Sequence, residues 1–319
     1  MVESATLFLA RQIERLRRIA KPKRIVFPEG NDPRVREAAD RLSRERLIEP
    51  ILLTREGCSP KYAALYLDRR RAKGVTEMQA EQTARDPLYR AALMVAAADA
   101  DGGVGGAVNT TAQTVRAALE CIGPAPGIRT VSGVFFMCVQ DGRFGHKGVL
   151  AFADCAMVID PDANEIAEIA IATAHSTRAV IGVEPKIALL SFSTKGSATH
   201  ASTEKMIEAL QILRERVPGI DVDGELQADA ALVASIGASK APGSTVAGRA
   251  NTLIFPDVAS GNIAYKLVER LGGATAFGPF LQGLAKPFND LSRGCSADDI
   301  YGTAIITALQ SEGSQVAAV

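Results

Sequence analysis

Short apolar runs alternate with stretches of helical periodicity along the whole chain. In the first half, the pattern predicts strands at residues 24–27, 50–54 and 101–108. The predicted helical segments there are 28–45 after an initial turn, the stretch from Thr76 with a break at Pro87, and 110–121. Proline has no amide hydrogen to donate, so the break at Pro87 separates two helices.

The same alternation continues in the second half. The predicted strands lie within residues 127–137 and 147–159 and at 186–191 and 251–255, and the predicted helices are 163–180, 202–216, 263–271 and 297–310. Strands that alternate with helices indicate crossover units and a largely parallel sheet. A chain of 319 residues suits two such α/β layers with a cleft between them. Because open parallel sheets bind ligands beyond the carboxyl ends of their strands, we expect the functional residues just after strands.

Composition narrows the possible partners and location. The 36 Lys and Arg residues balance 36 Asp and Glu residues, so the chain has no global field to hold nucleic acid or an anionic membrane. No apolar stretch reaches the roughly 20 residues that cross a bilayer, and the N-terminus does not fit a targeting peptide. Five scattered cysteines, Cys58 among them, form neither a disulfide framework nor a metal-binding pair. We therefore expect a cytoplasmic protein that binds any anion locally.

The densest group of reactive side chains lies in residues 286–300, KPFNDLSRGCSADDI. Ser296 is a plausible N-cap for the last helix, and Asp298 and Asp299 then lie in its first turn, where the helix dipole favours negative charge. That structural interpretation covers the two aspartates. It does not explain Ser292 and Arg293, because a Ser-Arg-Gly turn stabilises nothing obvious.

This segment resembles the carboxyl-terminal signature of the phosphate acetyltransferases, also called phosphotransacetylases. The resemblance extends in order over nearly the whole chain, through the segments FPEGNDPR (27–34), RRRAKGVT (69–76), VNTTAQTVRAAL (108–119), FADCA (152–156), SFSTKGSA (191–198), GELQADAAL (224–232), KAPGSTVAGRANTLIFPDVASGNIAYK (240–266) and GPFLQGLAKPFNDLSRG (278–294). No separate regulatory domain precedes these segments, so the chain resembles the short form of the enzyme.

The resemblance implies reversible transfer of an acetyl group between acetyl phosphate and coenzyme A. In the family's mechanism an aspartate takes the proton of the thiol, and the thiolate attacks the carbonyl without an acyl-enzyme. Matched to this sequence, the aspartate is Asp299, the serine that assists the charged oxygen is Ser292, and the arginine that grips the acyl phosphate is Arg293. The family's two further substrate-binding arginines match Arg116 and Arg70.

The fold, assembly and cofactors follow from the same resemblance. It implies two α/β domains like those of isocitrate and isopropylmalate dehydrogenases, with the active site in the interdomain cleft. We place the domains at 1–128 plus 284–319 and at 129–283. Coenzyme A and acetyl phosphate are expected as substrates, with no cofactor and no metal, and the family's members are commonly homodimers.

Elementary chemistry agrees with these roles and exposes one difficulty. Guanidinium groups suit a small phosphate dianion because they bind bidentately. The difficulty is the base, since an aspartic acid has a pKa near 3.9 and a thiol one near 8.5. Asp299 can accept the proton only if desolvation raises its pKa or if nearby arginines lower that of the thiol. We expect Asp299 to point toward the sulfur and away from the arginines.

Several candidates keep a second interpretation. Asn109 and Thr111 follow a predicted strand and are candidate substrate-binding residues, or they belong to a helix N-cap. The loop of Ser193 to Lys195 contacts the nucleotide of coenzyme A or is simply capped. Cys295 is a packed thiol rather than a nucleophile, because no histidine is near it in sequence.

Three further points concern the remaining candidate segments. Arg69 and Arg71 flank Arg70 and make its assignment less secure. Glu29 and Arg34 belong to the family resemblance, or form a structural ion pair. The glycines of 102–106 match no nucleotide-binding loop and suit close packing between helix and strand.

Three alternative functions remain. A phosphate butyryltransferase would use the same chemistry with a larger acyl pocket. A metal- and nicotinamide-dependent dehydrogenase of the related fold would require a divalent cation. A non-catalytic coenzyme A-binding protein would bind without turnover, although the intact Ser292, Arg293 and Asp299 argue against it.

Overall fold

The structure is a computed structural model that describes residues 3–54, 57 and 59–313. Its helices and strands in chain order are α1 (Glu3–Arg17), β1 (Lys23–Phe27), α2 (Pro33–Arg44), β2 (Ile48–Leu52), α3 (Pro60–Arg70), α4 (Glu77–Arg85), α5 (Pro87–Ala96), β3 (Gly102–Gly105), α6 (Thr111–Cys121), β4 (Ser132–Cys138), β5 (Val149–Ala153), α7 (Ala163–Ser176), β6 (Lys186–Leu190), α8 (Ala201–Arg216), β7 (Asp221–Leu226), α9 (Ala228–Leu232), α10 (Ala234–Lys240), β8 (Thr252–Ile254), α11 (Val258–Arg270), β9 (Thr275–Gln282), β10 (Phe288–Asp290) and α12 (Ala297–Gly313). Cys58 lies outside the described residues.

Two compact units make up the described chain. The terminal unit contains residues 10–127 and 284–313, and the central unit contains 3–9 and 128–283. The sequence-based assignment put residues 1–9 in the first domain, whereas the structure groups 3–9 with the central unit. The reason is Phe8, whose ring packs against Phe136 and Phe277 with centroid distances of 6.1 Å and 5.3 Å.

The terminal unit is built on a four-stranded sheet in the order β10-β3-β1-β2, and every neighbouring pair is parallel. Its core includes the buried side chains of Ile25, Phe27 and Phe288. β3 is rich in glycine, and a Cβ on Gly103 would lie 2.4 Å from the ring of Phe288 in the neighbouring strand. A Cβ on Gly102 would lie 2.8 Å from the Thr307 side chain of α12, so glycine here allows the expected close packing of helix and strand.

The central unit contains a six-stranded sheet in the order β7-β6-β8-β5-β4-β9. The first four strands are parallel, whereas β4 is antiparallel to both β5 and β9. The parallel strands β5 and β6 are largely buried on both faces, as their apolar runs VLAFA and KIALL predict. The two sheets together confirm the predicted α/β class with largely parallel sheets.

Candidate active site

Three segments of the terminal unit that contain candidate residues lie where neighbouring strands end. Glu29 follows β1, the loop of residues 106–109 follows β3, and Ser292 follows β10. Because β10, β3 and β1 are adjacent and parallel, their carboxyl ends meet at one edge of the sheet. The structure therefore brings these three segments together, as the alternation of strands and helices predicted.

The turn from Ser292 to Cys295 is held by its backbone. One guanidinium nitrogen of Arg34, Nη1, donates to the carbonyl oxygens of Arg293 and Cys295, each at 2.9 Å. The Ser292 hydroxyl accepts from the amide of Gly294 at 3.3 Å, and the Ser292 and Arg293 side chains are exposed. Within the described chain the Arg293 guanidinium has no hydrogen-bonding partner, so it is available to an anion.

Asp299 has a structural role in the last helix. Its Oδ2 accepts from the amide and the hydroxyl of Ser296, each at 2.8 Å, and its own amide donates to the Ser296 hydroxyl at 3.1 Å. This reciprocal arrangement is a capping box. The N-cap interpretation of Ser296 is therefore confirmed, and it leaves the Oδ1 atom of Asp299 without a partner among the described residues.

The two neighbouring aspartates have different surroundings. Asp298 pairs with Arg41 at 2.9 Å, whereas no arginine of the described chain pairs with Asp299. Both carboxylates are exposed. Burial of the Asp299 carboxylate, one of the two conditions named above for a base, is therefore not provided by the described residues around it.

The two candidate binding arginines lie around α6. Arg116 is exposed on this helix and has no hydrogen-bonding partner in the described part of the chain. Glu120, one turn further along, accepts from Arg70 Nη2 at 3.2 Å and from the Tyr66 hydroxyl at 2.7 Å. Arg70 is half-buried, and its Nε has no partner among the described residues. Arg70 therefore contacts α6 at Glu120, which lies one helical turn beyond Arg116.

The neighbours of Arg70 face elsewhere. Arg69 donates to the carbonyl of Ile122 at 3.0 Å, and Arg71 is exposed in the short turn that follows α3. The assignment of Arg70 as the family's arginine stays a prediction, and among the described residues no hydrogen bond or ion pair joins Arg70 or Arg116 to the Ser292–Arg293 turn.

The side chains of Asn109 and Thr111 both donate hydrogen bonds to carboxyl groups of the protein itself. Asn109 Nδ2 donates to Glu29 at 2.8 Å, and the Thr111 hydroxyl donates to Asp290 at 2.6 Å. Thr110, which lies between them, is the N-cap of α6. The capping interpretation thus holds for Thr110, and substrate binding by its two neighbours stays a prediction.

Asp290 is a site residue whose environment the sequence did not reveal. Burial raises the pKa of its carboxyl group, and the negative charge of Glu29 acts in the same direction, against the hydrogen bond from Thr111. Its Oδ1 is buried and has no hydrogen-bonding partner in the described chain. The only sequence signal was its place inside the signature segment.

Cys295 does not have the environment of a nucleophile. Its side chain is buried, and this burial raises the pKa of the thiol although the Arg34 guanidinium, 4.0 Å from the sulfur, opposes the shift. A protonated buried thiol is unreactive. The structure therefore supports the interpretation of Cys295 as a packed thiol.

Glu29 and Arg34, the candidate ion pair, each have other partners in the described chain. Arg34 pairs with Asp32 at 2.8 Å. Glu29 instead accepts hydrogen bonds from the loop of residues 106–109. This pairing could not be read from spacing, because the loop is almost 80 residues away.

In the central unit, the loop of Ser193 to Lys195 is capped internally. The Ser193 hydroxyl donates to the buried Glu225 at 2.8 Å, and the Lys195 ammonium pairs with Asp223. The Thr194 hydroxyl accepts from the amide of Gln227 at 2.9 Å. These contacts favour the structural interpretation of the loop.

The described residues show neither a metal-ligand group nor a membrane-spanning helix. They contain no group of three or more His, Cys, Asp or Glu side chains placed to hold a metal ion. Among the same residues, no helix combines the length and the apolar character that crossing a membrane requires.

Comparison with known proteins gives a consistent set of similarities. The profile of the family described as phosphate acetyl/butaryl transferase matches residues 7–308. A phosphate acetyltransferase from Paracoccus denitrificans is 48% identical over 315 residues, which cover 94% of this chain and 99% of that protein. The crystal structure of a phosphotransacetylase from Streptococcus pyogenes has a TM-score of 0.88 and 44% identity, covering 96% of this chain and 98% of that one.

A more distant similarity concerns the fold alone. A chain from Salmonella typhimurium assigned as a 4-hydroxythreonine-4-phosphate dehydrogenase has a TM-score of 0.50 at 13% identity, covering 91% of this chain and 99% of that one. This likeness agrees with the dehydrogenase-like fold expected from the sequence.

Proposed function

Because the chain belongs to the phosphate acetyl/butaryl transferase family, we propose that it transfers an acetyl group reversibly between acetyl phosphate and coenzyme A. The resemblance of residues 286–300 to the family signature is thereby confirmed, and the protein is an acyltransferase. The observation that carries the residue assignment is the exposed Ser292–Arg293 turn beside Asp299, at the edge where β10 ends.

The proposed reaction is a direct displacement. Asp299 accepts the thiol proton of coenzyme A, and the thiolate forms a bond to the carbonyl carbon of acetyl phosphate. The bond between that carbon and the phosphate oxygen then breaks, which yields the thioester and inorganic phosphate. No acyl-enzyme forms, in keeping with the buried, protonated thiol of Cys295.

Asp299 is suited to this task by its hydrogen bonds. The capping box fixes Oδ2 and therefore orients the carboxylate, while Oδ1 has no partner among the described residues and can accept the proton. A base needs such a defined orientation toward the proton that it removes. No arginine pair competes for it within the described chain.

The phosphate and the developing oxyanion need positive groups and donors. We assign the phosphate to Arg293 and Arg116, whose exposed guanidinium groups are unpaired in the described structure, with Arg70 assisting from beside Glu120. The Ser292 hydroxyl and amides at the start of α12 are suited to the oxyanion, and a donor of this kind stabilises the transition state by about 2.7–4 kcal/mol. The proposed reaction uses no metal and no cofactor, since coenzyme A is itself a substrate.

Replacing Asp299 by Asn tests the base. We expect Asp299→Asn to reduce kcat by about 10²-fold or more at saturating substrates, because general-base catalysis contributes roughly 10²–10⁴-fold. Asp40→Asn is the control, since it removes an equal charge from an exposed position of α2 whose carboxylate has no hydrogen bond or ion pair in the described chain. Near-normal turnover of Asp299→Asn, or equal losses in both variants, would exclude Asp299 as the base.

The acyl group is a separate question, because the family description covers both acetyl and butyryl transfer. The relatives named phosphate acetyltransferase support acetyl as the preferred group. Release of phosphate that depends on coenzyme A, measured with acetyl, propionyl and butyryl phosphate, decides between the two. A higher kcat/KM for butyryl phosphate would favour the butyryltransferase.

We also propose that the protein is a homodimer. In the central unit, Ile263, Leu267 and Leu271 follow one another at intervals of four residues and are 59%, 52% and 83% exposed. This spacing places them on one face of α11 and its C-terminal end. A second copy of the chain is a suitable partner for such an apolar row.

A further inference from the structure

Glu29 lies in a cradle of backbone amides at the end of β1. Its carboxylate accepts from the amides of Gly106, Ala107, Val108 and Asn109 at 3.0, 3.0, 3.1 and 3.1 Å. Asn109 Nδ2 adds a fifth hydrogen bond at 2.8 Å. Successive amides that converge in this way form an anion-binding concavity. Here the anion is a side chain of the protein itself.

The backbone of this loop is tightly constrained. Gly106 has a φ of +102°, a backbone conformation that residues with a Cβ rarely adopt. A Cβ at Gly106 would also lie 2.6 Å from the carbonyl oxygen of Leu291 and 2.4 Å from Asp290 Oδ1. The loop thus packs directly against the residues that precede Ser292.

Arg34 joins the same loop to the turn from Ser292 to Cys295. Its Nη2 donates to the carbonyl of Ala107 at 2.9 Å, while its Nη1 donates to the carbonyls of Arg293 and Cys295. The loop also leads directly into α6, which carries Arg116. A displacement of the loop would therefore move the helix of one substrate arginine and loosen the turn of the other.

We propose that Glu29 is a positioning residue for acyl transfer: its carboxylate fills the amide cradle of residues 106–109 and thereby sets Arg116 and the Ser292–Arg293 turn in their working positions. This inference rests on the proposed function. Glu29 acts through the loop and does not touch substrate. Because the cradle binds a carboxylate, a small free carboxylate can replace the side chain once it is removed.

Glu29→Ala tests this role directly. We expect kcat to fall by roughly 10- to 100-fold, the scale of loss that a misplacement of about 1 Å causes. Formate at millimolar concentrations should recover part of this loss in Glu29→Ala and leave the wild-type rate unchanged. Glu37→Ala is the matched control, because the Glu37 side chain on α2 is exposed. It should keep wild-type kinetics.

A second readout does not depend on turnover. Formate should raise the Tm of Glu29→Ala and leave that of the wild type unchanged, since a ligand stabilises only the state that binds it. Glu29→Gln keeps the size of the side chain, but its NH₂ group is a donor that faces the amide donors of the loop. Because the side chain still occupies the cradle, this variant should turn over slowly and formate should not change its rate. It also decides the matter if Glu29→Ala does not fold.

The outcomes separate the two proposals. An active wild type with an equally active Glu29→Ala or Glu29→Gln would overturn the role of Glu29 and leave acyl transfer intact. The role of Glu29 would also be overturned if folded Glu29→Ala loses activity and formate neither restores that activity nor raises the Tm of the variant. A wild-type chain without acyl transfer would overturn the proposed function itself.

Discussion

At the scale of single residues, the charged groups around the Ser292–Arg293 turn differ in whether other groups of the protein already bind them. Arg34 and Glu29 are fully engaged in holding loops, and Asp298 is paired with Arg41. Arg293 and Arg116 are exposed and unpaired within the described chain. The first group maintains the site, and the second is left to bind a substrate.

The half-buried carboxyl group of Asp290 should make stability depend on pH. Its pKa is raised by burial, so the fold favours the protonated acid and loses stability as the pH rises through that pKa. Asp290→Asn cannot ionise and keeps an acceptor for the Thr111 hydroxyl. Relative to wild type, the variant should therefore gain stability between about pH 4 and pH 7, by on the order of 1 kcal/mol per unit of the raised pKa.

Urea unfolding followed by circular dichroism at both pH values measures this difference. Glu37→Gln, which changes an exposed carboxyl group of the same unit, is the control. A stability difference for Asp290→Asn that is the same at both pH values would contradict the expected cost of ionising Asp290.

The sequence indicated candidate residues for the site, but it did not show the contacts between them. Motif matching indicated Ser292, Arg293 and Asp299, and their exposure and strand-end position are those a reactive turn needs. It did not show that Glu29 fills an amide cradle. That contact joins residues 77 to 80 positions apart, and only the parallel pairing of β1 with β3 brings them together.

At the scale of elements, α12 is clasped to α2 by a buried tyrosine. The Tyr301 hydroxyl donates to Glu45 Oε2 at 2.6 Å, and the Arg41 guanidinium lies 3.8 Å above the Tyr301 ring. Arg41 also donates to Glu45 Oε1 at 3.0 Å and pairs with Asp298. These contacts hold the start of the helix that carries Asp299.

Tyr301→Phe should destabilise the protein through this clasp. The change removes one hydrogen bond to a carboxylate and leaves its oxygen without that donor, at an expected cost of about 1–2 kcal/mol. Urea unfolding of the variant measures it. Tyr265→Phe is the control, because the Tyr265 hydroxyl contacts only the exposed Lys266 ammonium among the described residues, and it should unfold like wild type. Equal midpoints for the two variants would show that the clasp contributes no stability.

Elements defined by local signals were predicted well. The helices on either side of Pro87 begin after the N-caps Thr76 and Asp86, which are visible in the sequence. The helix α3 was missed, and so was β10, whose three residues form a strand only because they pair with β3. Pairing between distant segments leaves no periodic pattern in so short a run.

Proline at position 50 illustrates the same limit. The predicted strand began there, whereas β2 begins at Ile48 and contains Pro50. β2 is the edge strand of its sheet, where a residue without an amide hydrogen is tolerated. The proline itself favours an edge position for its strand, whereas the periodic pattern of apolar residues does not show where the strand begins.

At the scale of the whole molecule, the chain order does not follow the order of the strands. β10 comes last in the sequence and pairs with β3, so the final segment completes the sheet that the first segment began. In the central unit, β4 pairs with β9 although nearly 140 residues separate the two. The alternation of strands and helices indicated the class of fold, and only these long-range pairings assign each segment to its unit.

The exposed row of Ile263, Leu267 and Leu271 leads to a prediction about assembly. If a second copy covers this row, a charge at its centre must be buried on association, so Leu267→Glu should convert a dimer into a monomer in light scattering. Lys266→Glu is the matched control: it introduces the same residue at the neighbouring exposed position of α11, outside the row, and should leave the dimer intact. A monomeric wild type would exclude the homodimer, and a dimeric Leu267→Glu would place the interface elsewhere. The row lies in the central unit, whereas Asp299 lies in the terminal unit. A folded monomeric variant that keeps its turnover would show that each chain catalyses the reaction alone.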